Sequence, residues 1–212
     1  MRKFDSTLYF ITDSTGVEEN DFLEKVEAAL KGGVTLLQLR EKDRTTREYL
    51  SLAGKVHALA KTYNVPLIID DRIDIAMAVH AEGVHLGQSD MPISIARSLV
   101  GKDMIIGATA KTVPQAIEAE EGGADYLGVG AIYPTTTHVK TVITPVSTLD
   151  EICASVDIAV NAIGGLNAYN LSVLEQSDIS GICVVSAIMK AEDPMKAAKT
   201  LFVKAKDMRK RK

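Results

Sequence analysis

Eight short apolar runs, many of them rich in β-branched residues, recur along the chain, and each is followed by a polar segment with helical periodicity. The runs span residues 8–12, 35–40, 66–71, 83–88, 104–110, 126–132, 158–165 and 181–187. Most of them are apolar throughout and do not alternate, which is typical of parallel strands that are covered on both faces. Because strands alternate with helices, we expect crossover connections and one parallel sheet.

A count of eight strands favours a closed (β/α)8 TIM barrel over an open doubly wound sheet. With 212 residues, the chain lies at the short end of the size range for this barrel. We therefore predict an α/β fold with one domain over residues 1–212. Residues 203–212 form a basic C-terminal tail, which we interpret as the solvated end of the last helix, where cations are favoured.

Local signals mark several helix ends. Residues 45–48 and 112–115 have the Thr-x-x-Glu and Thr-x-x-Gln spacing of capping boxes. Asp193 followed by Pro194 predicts an N-cap with proline at the first helical position. Gly83 lies between a predicted helix and a strand, and we expect it to end that helix in a left-handed conformation.

Composition limits the classes of partner. Lys and Arg total 24 against 28 for Asp and Glu, a balance that argues against nucleic-acid binding. No apolar stretch approaches the roughly 20 residues of a membrane span, and the N-terminus lacks signal-peptide features. Cys153 and Cys183 belong to no CxxC pair and are expected to be free thiols. We therefore expect a cytoplasmic protein without membrane or nucleic-acid partners. The small size of the barrel is compatible with a homo-oligomer.

Charged residues follow three of the predicted strands, at the rim where barrel active sites lie. Arg40 and Lys42 are two residues apart and can present two cations to an anion. Asp71 and Asp90 leave neighbouring strands, which lie about 5 Å apart, so both carboxylates can bind one hard divalent ion together with phosphate oxygens. The alternatives are an ion pair with Arg72 or a helix N-cap for Asp71, and an N-cap for Asp90.

A second set of rim residues is small and uncharged. Gly164 and Gly165 follow the seventh strand, and Val185 and Ser186 follow the eighth, where barrels often bind phosphate through backbone amides. The glycine pair could equally form a tight turn. Threonines at 135–137 could add hydroxyl groups or simply lie in a loop. The sequence thus predicts a site for two phosphorylated groups, one held with a metal ion and one without.

In combination, these motifs resemble the thiamine phosphate synthase family. They are QLREK at 38–42, DDR at 70–72, GQSD at 87–90, the threonines at 135–137, IGG at 163–165 and VSAI at 185–188. The resemblance extends over residues 8–198. It implies an enzyme, a transferase of thiamine biosynthesis, that couples hydroxymethylpyrimidine diphosphate with hydroxyethylthiazole phosphate. The products are thiamine monophosphate and pyrophosphate, the cofactor is Mg²⁺, and the substrates are small phosphorylated molecules.

The resemblance also implies roles for individual positions. Those expected at the pyrimidine diphosphate are Gln38, Arg40, Lys42, Asp70, Thr109 and His138. The catalytic subset is Arg40, Lys42, Thr109 and His138. Those expected at the thiazole phosphate are Thr135, Thr137, Gly165, Val185 and Ser186, and the expected Mg²⁺ ligands are Asp71 and Asp90. The implied reaction is dissociative: the diphosphate leaves, a pyrimidine-methyl cation forms, and the thiazole nitrogen captures it.

Two positions depart from the family pattern. Asp70 stands where an asparagine is common, and its carboxylate repels a diphosphate unless it is protonated, turned away or neutralised by metal. His138 stands where a lysine is usual, and with an ordinary pKa of about 6.5 it is only partly charged at neutral pH. A protonated His138 or the nearby Lys140 would restore the cation; without either, we expect slow turnover.

Three other functions fit parts of the pattern. A thiazole phosphate tautomerase is a related barrel, but it tends to lack the cation and metal motifs that this chain keeps. A non-catalytic sensor of thiamine intermediates would be favoured by degraded substrate positions, for which only 70 and 138 qualify. A phosphate-handling epimerase or isomerase would need a general acid and base across the barrel and no metal ion.

Overall fold

The computed structural model describes residues 4–135 and 142–210, with side chains up to residue 208. Eight parallel strands close into a barrel in which each strand pairs with the next and the eighth pairs with the first. The strands are β1 (Leu8–Ile11), β2 (Leu36–Leu39), β3 (Leu67–Asp70), β4 (Gly83–Leu86), β5 (Ile105–Ala110), β6 (Tyr126–Gly130), β7 (Ala159–Ile163) and β8 (Gly181–Val184). The predicted (β/α)8 TIM barrel is confirmed. Each strand is shorter than the corresponding apolar run at one or both ends.

Helices connect the strands on the outside of the barrel. They are α1 (Glu19–Lys31), α2 (Thr46–Thr62), α3 (Ile73–Ala78), α4 (Ile93–Val100), α5 (Val113–Glu121), α6 (Val146–Ser155), α7 (Ser186–Met189) and α8 (Pro194–Lys210). Between β7 and β8 the connection contains a short 3-10 helix, Leu171–Leu174. Helix α8 extends into the predicted tail as far as Lys210 and buries Ala205 and Met208, so this part of the tail packs on the barrel along one side. In the part of the chain that is described, no helix has the length and apolarity to cross a membrane.

The two predicted capping boxes have different outcomes. At α2 the box is confirmed: Glu48 N donates to Thr45 Oγ1 (3.4 Å) and Thr45 N donates to Glu48 Oε2 (2.9 Å). At α5 only half of it forms, since Gln115 N donates to Thr112 Oγ1 (3.4 Å). The Gln115 side chain instead accepts from Lys111 N (2.9 Å), which satisfies the amide one residue earlier than predicted.

Two further helix ends were predicted. The N-cap of α8 is confirmed, because Lys196 N donates to Asp193 Oδ1 (2.9 Å). The prediction for Gly83 is wrong: it is the first residue of β4, and a Cβ atom there would lie 2.5 Å from Ile68 Cδ1. The left-handed residue after α3 is His80, with φ of 56°. Close packing against the neighbouring strand, and not a helix end, is what requires glycine at 83.

Side chains inside the barrel change from apolar to polar along β2 and β3. Because side chains alternate between the two faces of a strand, Gln38 shares the inner face with Leu36, and Asp70 shares it with Ile68. The buried inner cluster consists of Tyr9, Ile11, Leu36, Ile68, Ile105, Tyr126 and Cys183. Gln38 and Asp70 line a cavity at the carboxyl ends of the strands.

Candidate active site

A cavity of about 660 Å³ opens at the carboxyl ends of the barrel strands. Its lining brings together the predicted site residues Gln38, Arg40, Lys42, Asp70, Asp71, Asp90, Thr109, Thr135, Gly165, Val185 and Ser186. Residues 137, 138 and 140, at which a threonine, a histidine and a lysine were predicted to contact phosphate, lie outside the described residues. The positions selected from seven separate strand ends therefore line one cavity.

The two predicted cations are ion-paired with Asp70. Lys42 Nζ lies 2.8 Å from Asp70 Oδ2 and also contacts the carboxylate of Asp71. Arg40 Nε lies 3.7 Å from the same Asp70 oxygen. This carboxylate is thus paired with cations of the chain itself, a means of neutralisation that the sequence analysis did not predict.

Asp70 and Lys42 affect each other's protonation. Asp70 is only 8% exposed, and this burial, together with the charge of Asp71, raises the pKa of Asp70 despite the opposing effect of Lys42 and Arg40. Burial acts to lower the pKa of Lys42, but the nearby carboxylates of Asp70 and Asp71 outweigh it and raise that pKa. Lys42 therefore stays a cation at the cavity wall.

The two predicted metal ligands lie next to each other. Their carboxyl groups are close enough for the charge of one to affect the other: burial, followed by the charge of Asp71, raises the pKa of Asp90 even though a backbone N–H acts against it. That donor is Gly87 N, 2.6 Å from Asp90 Oδ2. Asp71 has φ of 59°, a left-handed conformation that aspartate tolerates better than most residues, and its N–H donates to His85 O (2.9 Å).

The alternative roles for these aspartates do not occur. Arg72 pairs with Asp74 at 2.6 Å and not with Asp71. Helices α3 and α4 begin without a side-chain cap, so neither Asp71 nor Asp90 is an N-cap. Both residues instead line the cavity, where Asp71 contacts Lys42 and Asp90 accepts from Gly87 N.

This carboxylate pair suits Mg²⁺. Hard oxygen donors are its preferred ligands, and one or two carboxylates are enough when substrate phosphates and water complete the shell. Two adjacent carboxylates also repel each other, and a cation between them relieves the repulsion. Over residues 4–135 and 142–208, no cluster of three or more His, Cys, Asp or Glu side chains has metal-binding geometry, so this two-carboxylate arrangement would depend on ligands supplied by the substrate.

The inner end of the cavity contains residues that sequence reasoning missed. His85 lies between two hydroxyl groups: its Nδ1 is 3.1 Å from Tyr126 Oη and its Nε2 is 3.0 Å from Thr109 Oγ1. Burial lowers the pKa of His85 to about 4, with Asp71 acting to raise it and Lys42 to lower it. The ring is therefore neutral near pH 7. The sequence feature that could have identified His85 is its position two residues before Gly87, where a polar residue interrupts an apolar strand.

Backbone geometry requires glycine at the end of β7. Gly164 and Gly165 have φ values of 102° and 66°. A Cβ atom would lie 2.4 Å from Ala131 Cβ at the first position and 2.6 Å from Tyr133 Cβ at the second. Asn170 Nδ2 donates to Gly165 O (2.9 Å) and holds the turn. The pair thus forms the tight turn and also keeps this wall of the cavity free of side chains.

Sequence reasoning also missed a cation beside Thr109. Lys111 follows β5, is partly exposed and lines the cavity. Within the described residues its ammonium group forms no ion pair, unlike Arg40 and Lys42. Gln88 lies on the same side of the cavity, where its Nε2 donates to Thr109 O (2.6 Å).

A barrel whose strand ends combine paired carboxylates, cations and a glycine turn belongs to the class of (β/α)8 enzymes that act on phosphorylated substrates. The family model for thiamine monophosphate synthase matches residues 8–188. The chain belongs to this family.

Individual relatives agree with the family match. Thiamine-phosphate synthase 2 of Streptococcus pneumoniae serotype 4 is 50% identical over 186 residues, covering 88% of this chain and 89% of that protein. Thiamine-phosphate synthase of Methanobrevibacter smithii is 48% identical over 202 residues, covering 95% and 96%. The solved structure of thiamine phosphate pyrophosphorylase from Pyrococcus furiosus superposes with a TM-score of 0.87 at 39% identity, covering 95% of this chain and 96% of that one.

Proposed function

We propose that this protein couples hydroxymethylpyrimidine diphosphate with hydroxyethylthiazole phosphate to give thiamine monophosphate and pyrophosphate. The observation that carries the proposal is the meeting of two cations, Arg40 and Lys42, with two adjacent carboxylates, Asp71 and Asp90, in one cavity of a chain of this family. A diphosphate bound with a divalent ion needs both kinds of group.

Asp71 and Asp90 would hold Mg²⁺ together with diphosphate oxygens. When bound, the ion would neutralise negative charge on the diphosphate. The carboxylates already lie close together, so little rearrangement is needed to bring both to one ion.

Arg40 and Lys42 would stabilise the leaving group. As the C–O bond to the pyrimidine methylene breaks, negative charge builds on the departing pyrophosphate, and cations fixed nearby lower the barrier. The bond that forms joins the same methylene carbon to the thiazole nitrogen, whose lone pair supplies the electrons. No general base is required, because no proton is removed in this step.

The second phosphate would lie at the opposite set of strand ends. Gly165, Val185 and Ser186 line the cavity there with little side-chain bulk, and Thr135 lies on the same rim. Backbone amides in such a turn are typical ligands of phosphate in barrels. Thr137 and His138 remain predicted contacts of the two substrates. The partners proposed are these small phosphorylated molecules, and the proposed compartment is the cytoplasm, in keeping with two cysteines that form no disulfide.

The metal site can be tested with single aspartate variants. Asp71→Asn and Asp90→Asn should raise the Mg²⁺ concentration needed for half-maximal activity by at least about tenfold, the effect of losing one charged ligand. Asp74→Asn is the matched control, because Asp74 pairs with Arg72 at the surface. Equal Mg²⁺ dependence in all three variants would contradict the assignment.

A further inference from the structure

Five side chains form one continuous hydrogen-bonded chain across the inner end of the cavity. Gln38 Nε2 donates to Tyr9 Oη at 2.6 Å, and the hydroxyls of Tyr9 and Tyr126 lie 2.7 Å apart. Tyr126 Oη is 3.1 Å from His85 Nδ1, and His85 Nε2 is 3.0 Å from Thr109 Oγ1. Tyr9 and Tyr126 are buried away from the cavity lining, whereas Gln38, His85 and Thr109 line the cavity.

The proton count gives this chain a direction. Tyr9 accepts from the amide of Gln38, so its own proton goes to Tyr126, its other hydrogen-bonding partner among the described residues. Tyr126 then donates to Nδ1 of His85. A neutral imidazole has one N–H group, so the ring proton lies on Nε2 and is donated to Thr109. The Thr109 hydroxyl can therefore donate its proton to a group in the cavity. The amide oxygen of Gln38 makes no bond to Tyr9 and is available to accept a hydrogen bond.

We propose that Tyr126 and His85 are positioning residues, which hold the Thr109 hydroxyl as a donor to the bound pyrimidine diphosphate while Gln38 presents an acceptor. The inference rests on the proposed function, since it takes the pyrimidine diphosphate as the occupant of this cavity. A pyrimidine with an amino group beside a ring nitrogen offers one donor and one acceptor. The amino group would donate to the Gln38 oxygen, and the ring nitrogen would accept from the Thr109 hydroxyl. Thr109 contacts the substrate, whereas Tyr126 and His85 act through Thr109.

The two ends are coupled through the buried residues. Rotation of the Gln38 amide by half a turn would reverse all four hydrogen bonds and convert Thr109 from a donor into an acceptor. Each orientation therefore presents one donor and one acceptor to the cavity, and the orientation found here assigns the donor to Thr109. Tyr126→Phe removes the donor to His85 Nδ1 and uncouples the ends without changing either of them.

The tautomer of His85 tests the direction without any substrate. In protein labelled with ¹⁵N at histidine, the ring signals of His85 can be assigned by their loss in His85→Gln. We expect the Nε2–H tautomer in the wild type and a mixture of tautomers in Tyr126→Phe. An Nδ1–H tautomer in the wild type, or an unchanged tautomer in Tyr126→Phe, overturns the inference. This readout does not depend on turnover, so its failure is distinct from a wild-type protein that lacks synthase activity.

Kinetics test the consequence for binding. Tyr126→Phe should raise KM for the pyrimidine diphosphate by about tenfold, the equivalent of one hydrogen bond, and leave KM for the thiazole phosphate unchanged. Tyr63→Phe is the matched control: it also loses a tyrosine hydroxyl, which donates to Glu27 Oε1 (2.8 Å) outside the cavity lining. Thr109→Ser should retain the wild-type KM, and Thr109→Val should lose at least as much as Tyr126→Phe. Equal KM values in Tyr126→Phe and Tyr63→Phe contradict the proposal.

Discussion

Lys42 Nζ lies 2.8 Å from Asp70 Oδ2, so a cation expected to bind substrate diphosphate is already paired with a carboxylate of the chain. Arg40 approaches the same oxygen. Under the proposed function, both cations exchange a carboxylate for a phosphate when substrate binds. Asp70 neutralises the cavity wall in the free protein, and it weakens the attraction of that wall for an anion.

Replacing Asp70 by the asparagine common in the family should strengthen diphosphate binding. Asp70→Asn removes one negative charge beside Lys42 and Arg40, so we expect KM for the pyrimidine diphosphate to fall several-fold, corresponding to about 1 kcal/mol. Steady-state kinetics at fixed Mg²⁺ measure this. Asp74→Asn removes an exposed carboxylate outside the cavity and should leave KM unchanged. A higher KM in Asp70→Asn would mean that the carboxylate itself assists binding.

Lys111 should contribute to diphosphate binding because no ion pair within the described residues competes for its ammonium group. Lys111→Met is expected to raise KM for the pyrimidine diphosphate by about fivefold, equivalent to about 1 kcal/mol for a partly exposed charge. Since screening by salt weakens such an interaction, the difference between wild type and variant should shrink at high ionic strength. Lys102→Met, at an exposed position outside the cavity lining, is the control. A salt-independent effect would argue against an electrostatic role.

The turn after β7 should not tolerate a side chain. Gly165→Ala places a Cβ atom at φ of 66° and 2.6 Å from Tyr133 Cβ, at a cost of about 1–2 kcal/mol for the left-handed conformation and further strain from overpacking. We expect a lower free energy of unfolding and a raised KM for the thiazole phosphate. Gly54→Ala is the matched control: Gly54 lies in α2 with nothing within 4 Å of its added Cβ, so alanine there should stabilise the helix. Similar effects of both substitutions would refute the assigned role of the turn.

His85 makes stability depend on pH. Burial lowers its pKa to about 4 in the folded protein, against about 6.5 in an unfolded chain. Between these values the unfolded chain binds a proton that the folded protein does not. This contribution to stability is therefore complete above about pH 6.5 and is lost as the pH falls towards about 4, by about 3 kcal/mol in total.

Urea unfolding across that pH range measures the effect. His85→Gln cannot titrate there, so its free energy of unfolding should fall less steeply with decreasing pH than that of the wild type. Parallel pH dependences of the two proteins would show that His85 is not the group responsible.

The eight strands could be predicted because a strand covered on both faces is apolar throughout, and such runs are easy to find. The rim residues could be predicted for a related reason. A polar residue at the end of an apolar run, or within two residues after it, lies near the carboxyl end of a strand, and in a closed barrel those ends meet. Arg40, Asp71 and Asp90 were found in this way.

Residues inside the apolar runs were missed. Tyr9, His85 and Tyr126 lie among apolar neighbours, and their hydrogen bonds depend on which strands adjoin and which face each side chain takes. The pairing of Lys42 with Asp70 likewise depends on the neighbouring positions of β2 and β3. Gly83 was misassigned because its requirement comes from contact with Ile68 on another strand. The proposals for Thr137, His138 and Lys140 remain predictions from the sequence.

Pyrophosphate release by the purified protein tests the central claim most directly. The assay is run with both substrates, with each substrate omitted in turn, and with and without Mg²⁺. We expect release only when hydroxymethylpyrimidine diphosphate, the thiazole phosphate and Mg²⁺ are all present, with thiamine monophosphate formed in equal amount. Binding of either phosphate compound without pyrophosphate release would contradict the account and would instead indicate a sensor or a tautomerase built on the same barrel.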